Sequence, residues 1–270
     1  MIPTGLLSLV LSIVPAASGQ NRNSYSTVFY TNGSLRLEAY LFRPSGDGPF
    51  PVVIYNHGSR VGQERAERPF AYVGSLLTRA GYAVLVPERR GYGKSEGVEY
   101  SGEVGGDVAE KALGRLRAES DDVLASLAFL KTVRWIDTTR IGIMGWSLGG
   151  IVSVFAASGS DRFFAVVDQA GGSLMWKRSP ALQAALPEAA KGIRVPILCM
   201  AAENDATVEA VKSVAAAAKN AGGNQAVKIY PPFSPSQPSN IAPGHLIFSA
   251  EGMHIWGADV VAFFNEHRRR

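Results

Sequence analysis

The sequence has little cysteine, little histidine and little excess of charge. Its single cysteine, Cys199, excludes a disulfide within the chain, and its apolar surroundings predict a small buried side chain. The four histidines show no H-x-x-x-H or C-x-x-C spacing, so we expect no metal site. A net charge of +4 without a basic cluster interleaved with aromatic residues argues against a nucleic-acid partner.

Long hydrophobic runs are also scarce. The run Gly5–Val14 is too short for a comfortable membrane span, so we expect no stable span. Small residues follow it at 16–19, and no lysine or arginine precedes it. We interpret residues 1–19 as a signal peptide with a weak basic region, which predicts a secreted or periplasmic protein. The alternatives are an N-terminal helix that is buried or faces lipid, and a cytoplasmic location.

The remaining residues, 20–270, predict a single α/β domain with a mostly parallel central sheet. Apolar strand-length runs alternate with amphipathic segments, which is typical of a parallel sheet covered by helices on both faces. An Asn32-Gly33 turn inside Val28–Arg43 predicts an antiparallel hairpin before the parallel part. Helices are expected over 66–79, over 107–131 with a break near Gly114, over 148–157, over 208–220 and over 253–267, whereas 173–191 is expected to be irregular or short-helical.

The strongest chemical motif is Gly145-Trp146-Ser147-Leu148-Gly149. A strand-length run ends at Met144 and a helical pattern begins at Leu148, so Ser147 falls on a strand-to-helix turn. This context is typical of the nucleophile in α/β-hydrolases, and the backbone N–H of Leu148 then becomes one oxyanion donor. The alternative is a structural turn with an inert serine.

A serine nucleophile needs a base and an acid that orients the base. The expected chain order is serine, acid, histidine. Glu203 and Asp205 both follow the apolar run 196–202, and we favour Asp205 because it lies further into the loop. Helix capping is its alternative role.

Three histidines follow Ser147 in the chain. We favour His245, which lies in a loop after the last predicted strand, over His254 at the start of the final helix. His267, at the end of that helix, is expected to be solvated. His57 precedes the serine and therefore fits an oxyanion loop rather than the base, with the backbone N–H of Ser59 as the second oxyanion donor.

The glycine-rich loop 89–97 contains neither the P-loop pattern nor G-x-G-x-x-G. We therefore expect a tight structural loop and no bound cofactor.

Together these motifs resemble the dienelactone hydrolase-like and prolyl-oligopeptidase-like branch of the α/β-hydrolase superfamily, over about 35–264. The residues that carry the resemblance are VIYNHGS (53–59), PERRGYGKSEG (87–97), DVLASLAFLKT (122–132), DTTRIGIMGWSLGG (137–150), END (203–205) and GHLIF (244–248). The resemblance implies an α/β-hydrolase fold, and the glycine before His245 with Phe248 after it strengthens His245 as the base.

The chain departs from this family in two places. Dienelactone hydrolases proper use a cysteine nucleophile, whereas this chain has Ser147, which favours general ester hydrolysis. The proline-rich stretch Pro231–Pro243 lengthens the path to His245 and is expected to form one wall of the pocket. Only 98–117 and 173–193 are left to cover the site, with Trp146, Met175 and Trp176 as candidate apolar wall residues.

The sequence therefore predicts a serine hydrolase that cleaves small to medium carboxylic esters through Ser147, Asp205 and His245. Its partner is expected to be a small-molecule ester, and the oligomeric state is left open. Three alternatives remain: a peptidase or amidase, an acyltransferase, and a non-catalytic binding protein that keeps the fold.

Overall fold

The computed structural model describes residues 25–105 and 109–268. The predicted signal peptide lies outside the described residues. Within these ranges the strands are β1 (Tyr25–Asn32), β2 (Leu35–Phe42), β3 (Phe50–Asn56), β4 (Ala83–Glu88), β5 (Ile136–Trp146), β6 (Phe163–Gln169), β7 (Ile197–Ala202) and β8 (Gln225–Tyr230). The helices are α1 (Ala71–Arg79), α2 (Tyr100–Val104), α3 (Ala109–Leu130), α4 (Leu148–Ser158), α5 (Pro180–Ala190), α6 (Glu209–Asn220) and α7 (Met253–His267), with 3₁₀ helices at Trp176–Arg178 and Pro243–Phe248.

The strands form one sheet in the order β1-β2-β4-β3-β5-β6-β7-β8. The hairpin β1–β2 is antiparallel, as its Asn-Gly turn predicts, and β2 pairs antiparallel with β4. From β4 to β8 every neighbouring pair is parallel. The carboxyl ends of β3, β5, β6, β7 and β8 therefore meet at one edge of the sheet, where open α/β sheets bind ligands.

Helices cover both faces of the sheet because the parallel strands are apolar on both sides. One core packs α3, α4, α5 and α6 against strand residues such as Ile54 and Ile143. The other packs α1 and α7 against residues such as Val53 and Met144. Cys199 is buried in the first core, as expected from its apolar run. None of the described helices is long and apolar enough to cross a membrane.

Three predicted segments differ from the structure. Helix α1 begins at Ala71 instead of near residue 66, because Pro69 precedes Phe70, which takes a left-handed conformation at φ 52°. Gly114 does not break α3, since it lies on the exposed side of a helix held by the core. The irregular stretch predicted over 173–191 contains a 3₁₀ turn and the regular helix α5, which begins with the Ser179 cap and Pro180.

Candidate active site

Ser147 lies at the turn between β5 and α4, in a backbone conformation that is unusual for a residue with a side chain. Its φ is 59° and its ψ is −119°. Such strain persists only where the surroundings enforce it and is common at active sites. The Ser147 N–H donates to the carbonyl oxygen of Gln169 at 2.9 Å, which ties the turn to the end of β6.

The motif glycines are required because the backbone is crowded around this turn. A Cβ on Gly145 would lie 2.1 Å from the carbonyl oxygen of Gly149, and a Cβ on Gly149 would lie 1.9 Å from that of Asn56. Both distances are far below any real contact. The glycines therefore let α4 start directly against the ends of β3 and β5, which leaves Ser147 partly exposed at the carboxyl edge of the sheet.

Asp205 and His245 form a buried pair. The Nδ1 atom of His245 lies 2.9 Å from Oδ2 and 3.2 Å from Oδ1 of Asp205, and the side chains are 2% and 0% exposed. The carboxylate can only accept, so Nδ1 donates to it, and this tautomer places the lone pair of the imidazole on Nε2. Asp205 is held in turn by the Ala206 N–H, which donates to its Oδ1 at 2.6 Å.

The histidine loop is attached to the serine turn through Trp146. The indole Nε1 of Trp146 donates to the carbonyl oxygen of His245 at 3.1 Å, and the two rings lie 5.7 Å apart. Among the residues that the structure describes, His245 Nε2 has no hydrogen-bond partner, so the Ser147–His245 hydrogen bond is not formed. The histidine ring is nevertheless beside the residue that precedes the serine.

The competing acid and base candidates lie elsewhere. Glu203 is exposed, and its N–H extends the pairing of β7 with β8. His254 is exposed at the start of α7, where Nδ1 donates to the carbonyl oxygen of Glu251 at 2.9 Å. His267 is buried, contrary to the expectation of a solvated ring, because it packs edge-on against Phe263 at 4.7 Å.

His57 lies in the loop after β3 and is fully buried. Burial, with Arg89 and Arg60 nearby, holds the pKa of His57 well below its ordinary value, so the ring is neutral. Its Nδ1 donates to the carbonyl oxygen of Gly58 at 2.8 Å, and its ring stacks on Phe70 at 5.6 Å. These contacts hold the loop in place and leave His57 unsuited to act as the base.

The loop after β3 reaches the serine at Gly58. A Cβ on Gly58 would lie 3.1 Å from Cβ of Ser147, so the peptide that leads to Ser59 passes beside the nucleophile candidate. Leu148 is the first residue of α4, and its N–H has no acceptor within the helix. Both predicted oxyanion donors are therefore next to Ser147.

A buried chain of charges supports the same loop. Arg89 Nη2 donates to the carbonyl oxygen of His57 at 2.9 Å, and Arg89 Nε donates to Glu119 at 2.6 Å. Glu119 also accepts from Arg115, which donates to the carbonyl oxygen of Val98 just before α2. Sequence reasoning missed this network, because no local pattern links positions so far apart.

A cavity of about 490 Å³ opens beside the serine. Apolar side chains dominate its wall, and exposed Val61 marks the mouth. The lining residues are Ser59, Val61, Tyr100, Val104, Gly105, Ala112, Ser147, Leu148, Gly172, Leu174, Met175, Arg178 and Ser179. Both predicted cover segments contribute. Of the three candidate wall residues only Met175 lines the cavity, since Trp146 packs against His245 instead.

The glycine-rich loop is a packed structural element. The Arg65 guanidinium donates to the carbonyl oxygens of Ser95 and Gly97, which holds the loop closed.

The described residues contain no group of three or more histidine, cysteine, aspartate or glutamate side chains that could hold a metal ion.

Comparison with known proteins decides the family. The sequence model of the Dienelactone hydrolase family matches residues 37–236. The chain belongs to this family. Among proteins of similar sequence, the quorum-quenching protein AidA of Acinetobacter baumannii is 28% identical over 142 residues, covering 53% of this chain and 42% of AidA. The putative hydrolase YtaP of Bacillus subtilis is 26% identical over 147 residues, covering 51% of this chain and 49% of YtaP. The matched segments thus span about half, or less, of these relatives.

Solved structures place this dienelactone hydrolase family member in the α/β-hydrolase fold. An acylaminoacyl peptidase of Pyrococcus horikoshii superposes with a TM-score of 0.68 at 20% identity, covering 91% of this chain and 42% of the peptidase. The esterase Pf2001 of Pyrococcus furiosus superposes with a TM-score of 0.63 at 19% identity, covering 91% of this chain and 93% of the esterase. At these identities the likeness shows the shared fold.

Proposed function

We propose that this family member is a serine hydrolase that cleaves small to medium carboxylic esters. The observation that carries the proposal is the buried Asp205–His245 pair, held by Trp146 beside the strained Ser147 at a mainly apolar cavity. Family membership and the likeness to an esterase that covers 93% of that chain add support. A small-molecule ester is accordingly the proposed partner.

In the proposed reaction, Ser147 Oγ attacks the acyl carbon while His245 Nε2 takes the hydroxyl proton. Asp205 keeps the imidazole in the tautomer that leaves Nε2 free and stabilises the imidazolium that forms. The N–H groups of Leu148 and Ser59 donate to the oxyanion of the tetrahedral intermediate. His245 then returns the proton to the leaving alcohol, and a water molecule activated by the same nitrogen releases the acid from Ser147.

Amide hydrolysis is a second candidate, favoured by the likeness to acylaminoacyl peptidase. The two reactions use the same groups and differ in the leaving group, because an amine must be protonated as it departs. The mainly apolar lining of the cavity beside Ser147 favours an acyl chain over a peptide.

A panel of p-nitrophenyl esters of increasing acyl length, run beside aminoacyl p-nitroanilides, tests this proposal. We expect ester turnover by the wild type and its loss in Ser147→Ala and His245→Ala. His254→Ala removes an exposed imidazole and is the matched control, with activity retained. Anilide turnover equal to ester turnover would support the peptidase, and an ester product formed only with added alcohol would support acyl transfer.

A further inference from the structure

The proline-rich segment Pro231–Pro243 leaves β8 and leads to the histidine loop, and both of its ends contact one residue. That residue is Asn204, which lies between exposed Glu203 and the acid candidate Asp205. The segment meets Asn204 near its start, at Phe233, and the chain meets Asn204 again at Gly244, the residue that follows the segment. Asn204 therefore closes a loop of about a dozen residues.

The side-chain amide of Asn204 binds the start of the segment with both of its polar atoms. Nδ2 donates to the carbonyl oxygen of Phe233 at 2.8 Å. The N–H of Phe233 donates to Oδ1 at 2.9 Å. A side chain must carry one donor and one acceptor at this spacing to make both bonds, which a carboxylate does not.

The backbone of Asn204 binds the other end of the segment. Its carbonyl oxygen accepts the N–H of Gly244 at 3.2 Å. The approach is so close that a Cβ on Gly244 would lie 2.4 Å from the backbone nitrogen of Asp205 and 2.5 Å from Oδ1 of Asn204. His245 is the next residue, so the contact fixes the position of the His245 backbone from which the imidazole extends.

We propose that Asn204 is a positioning residue, which holds His245 against Asp205 by closing the proline-rich loop. This inference rests on the proposed function, in which those two residues are the base and the acid. Both polar atoms of the Asn204 side chain are bound to the backbone of Phe233, so Asn204 acts through the histidine loop and not on the substrate. Without its side-chain amide, the start of the segment loses both bonds to residue 204 and only the backbone bond to Gly244 remains, so less binding energy offsets the entropy of loop closure.

The test compares Asn204→Ala and Asn204→Asp with Glu251→Ala. Glu251 Oε1 accepts the N–H of Ser236 at 2.7 Å, so Glu251→Ala loosens the middle of the same segment and leaves its ends attached. We expect kcat of Asn204→Ala to fall about 10- to 100-fold, because small displacements of a catalytic group cost that much. KM should change less than about threefold, and Glu251→Ala should keep the wild-type kcat. Asn204→Asp keeps the volume of the side chain and remains available if the alanine variant does not fold; it sets a carboxylate oxygen against the Phe233 carbonyl oxygen, so its kcat should fall at least as far as that of Asn204→Ala.

A spectroscopic readout makes the result independent of turnover. The proton shared by His245 Nδ1 and Asp205 gives a strongly downfield imidazole resonance, because the hydrogen bond is charge-assisted. We expect this signal in the wild type and in Glu251→Ala, and its loss or broadening in both Asn204 variants. A lower melting temperature with unchanged kcat and unchanged resonance would overturn the proposal, as would a rise in KM alone. If the wild type hydrolyses no ester, the proposed function fails, while the resonance still decides the role of Asn204.

Discussion

The indole N–H of Trp146 donates to the carbonyl oxygen of His245 at 3.1 Å. This bond joins the residue before the candidate nucleophile to the backbone of the candidate base, across 99 positions of sequence. It positions the histidine loop on the serine turn, in addition to the support that Asp205 gives to the ring.

Trp146→Phe removes this donor and keeps an aromatic ring. We expect kcat for p-nitrophenyl esters to fall about three- to tenfold, because one net hydrogen bond of about 0.5–1.5 kcal/mol is lost. Steady-state kinetics measure the change. Trp176→Phe, the same substitution in the 3₁₀ helix Trp176–Arg178, is the control, and an equal loss there would show that the effect is not specific to the bond.

Gly149→Ala tests the close approach behind the serine. The added Cβ would meet the carbonyl oxygen of Asn56 at 1.9 Å, so α4 must shift away from β3. We expect a loss of about 1–3 kcal/mol in the free energy of unfolding, typical of overpacking, together with a loss of activity. Urea denaturation measures the stability.

Gly114→Ala is the matched control for that substitution. Gly114 lies in the middle of α3, and a Cβ there has no neighbour within 4 Å. Alanine should stabilise the protein by about 0.5–1 kcal/mol, because glycine in a helix interior costs that much. Equal effects of the two substitutions would contradict the crowding at Gly149.

Asp168 gives the stability a pH dependence. Burial raises the pKa of its carboxyl from the ordinary 3.8 to about 7, although the Gly171 N–H donates to it at 2.9 Å and opposes the rise. The folded state therefore binds more protons than the unfolded state between these values. The free energy of unfolding should decrease as the pH rises from about 4 to about 7, and then level off.

Asp168→Asn should remove part of this dependence of the free energy of unfolding on pH. The variant has no titrating group at this position, so its urea midpoint should fall less between pH 5 and pH 8 than that of the wild type. Burial also raises the pKa of Glu88 to about 7, although the charge of Arg60 opposes the rise. Glu88 should therefore account for the pH dependence of stability that remains in the variant. An unchanged slope in the variant would show that Asp168 is already ionised in the folded protein at pH 5.

Ala112→Phe tests whether the cavity receives the acyl chain. Ala112 is 3% exposed and lines the inner part of the cavity, whereas Val61 is 61% exposed at its mouth. We expect kcat/KM for p-nitrophenyl octanoate to fall about tenfold or more, since each excluded methylene loses about 0.8 kcal/mol, while the acetate is little affected. Val61→Ala is the control. A loss that follows the size of the alcohol instead would assign the cavity to the leaving group.

The sequence predicts the parallel strands well because they are short, mainly apolar runs, and the final helix over 253–267 matches α7 residue for residue. Helix α2, which forms part of the cavity wall, is five residues long and too short to show a helical period, so the sequence does not predict it. The late start of α1 depends on the left-handed backbone of Phe70, which residue type does not favour.

The candidate site divides in a similar way. Ser147, Asp205 and His245 could be proposed from motif and chain order, because those depend on local turns at strand ends. Asn204 and Trp146 could not be proposed from the sequence, since their roles come from contacts made across 29 and 99 positions. The candidate catalytic residues can be found from local sequence patterns. The hydrogen bonds that orient them join distant parts of the chain and are known only from the fold.

Labelling with a fluorophosphonate probe tests the central claim most directly, because the probe reacts with an activated serine without requiring the right substrate. The rate is measured for the wild type, His245→Ala and His254→Ala, and the modified peptide is identified by mass spectrometry. We predict a label on Ser147 in the wild type and in His254→Ala. In His245→Ala the labelling rate should be lower by about 10³-fold or more. A folded wild type that takes no label, or a His245→Ala variant that labels as fast as the wild type, would contradict the proposed site.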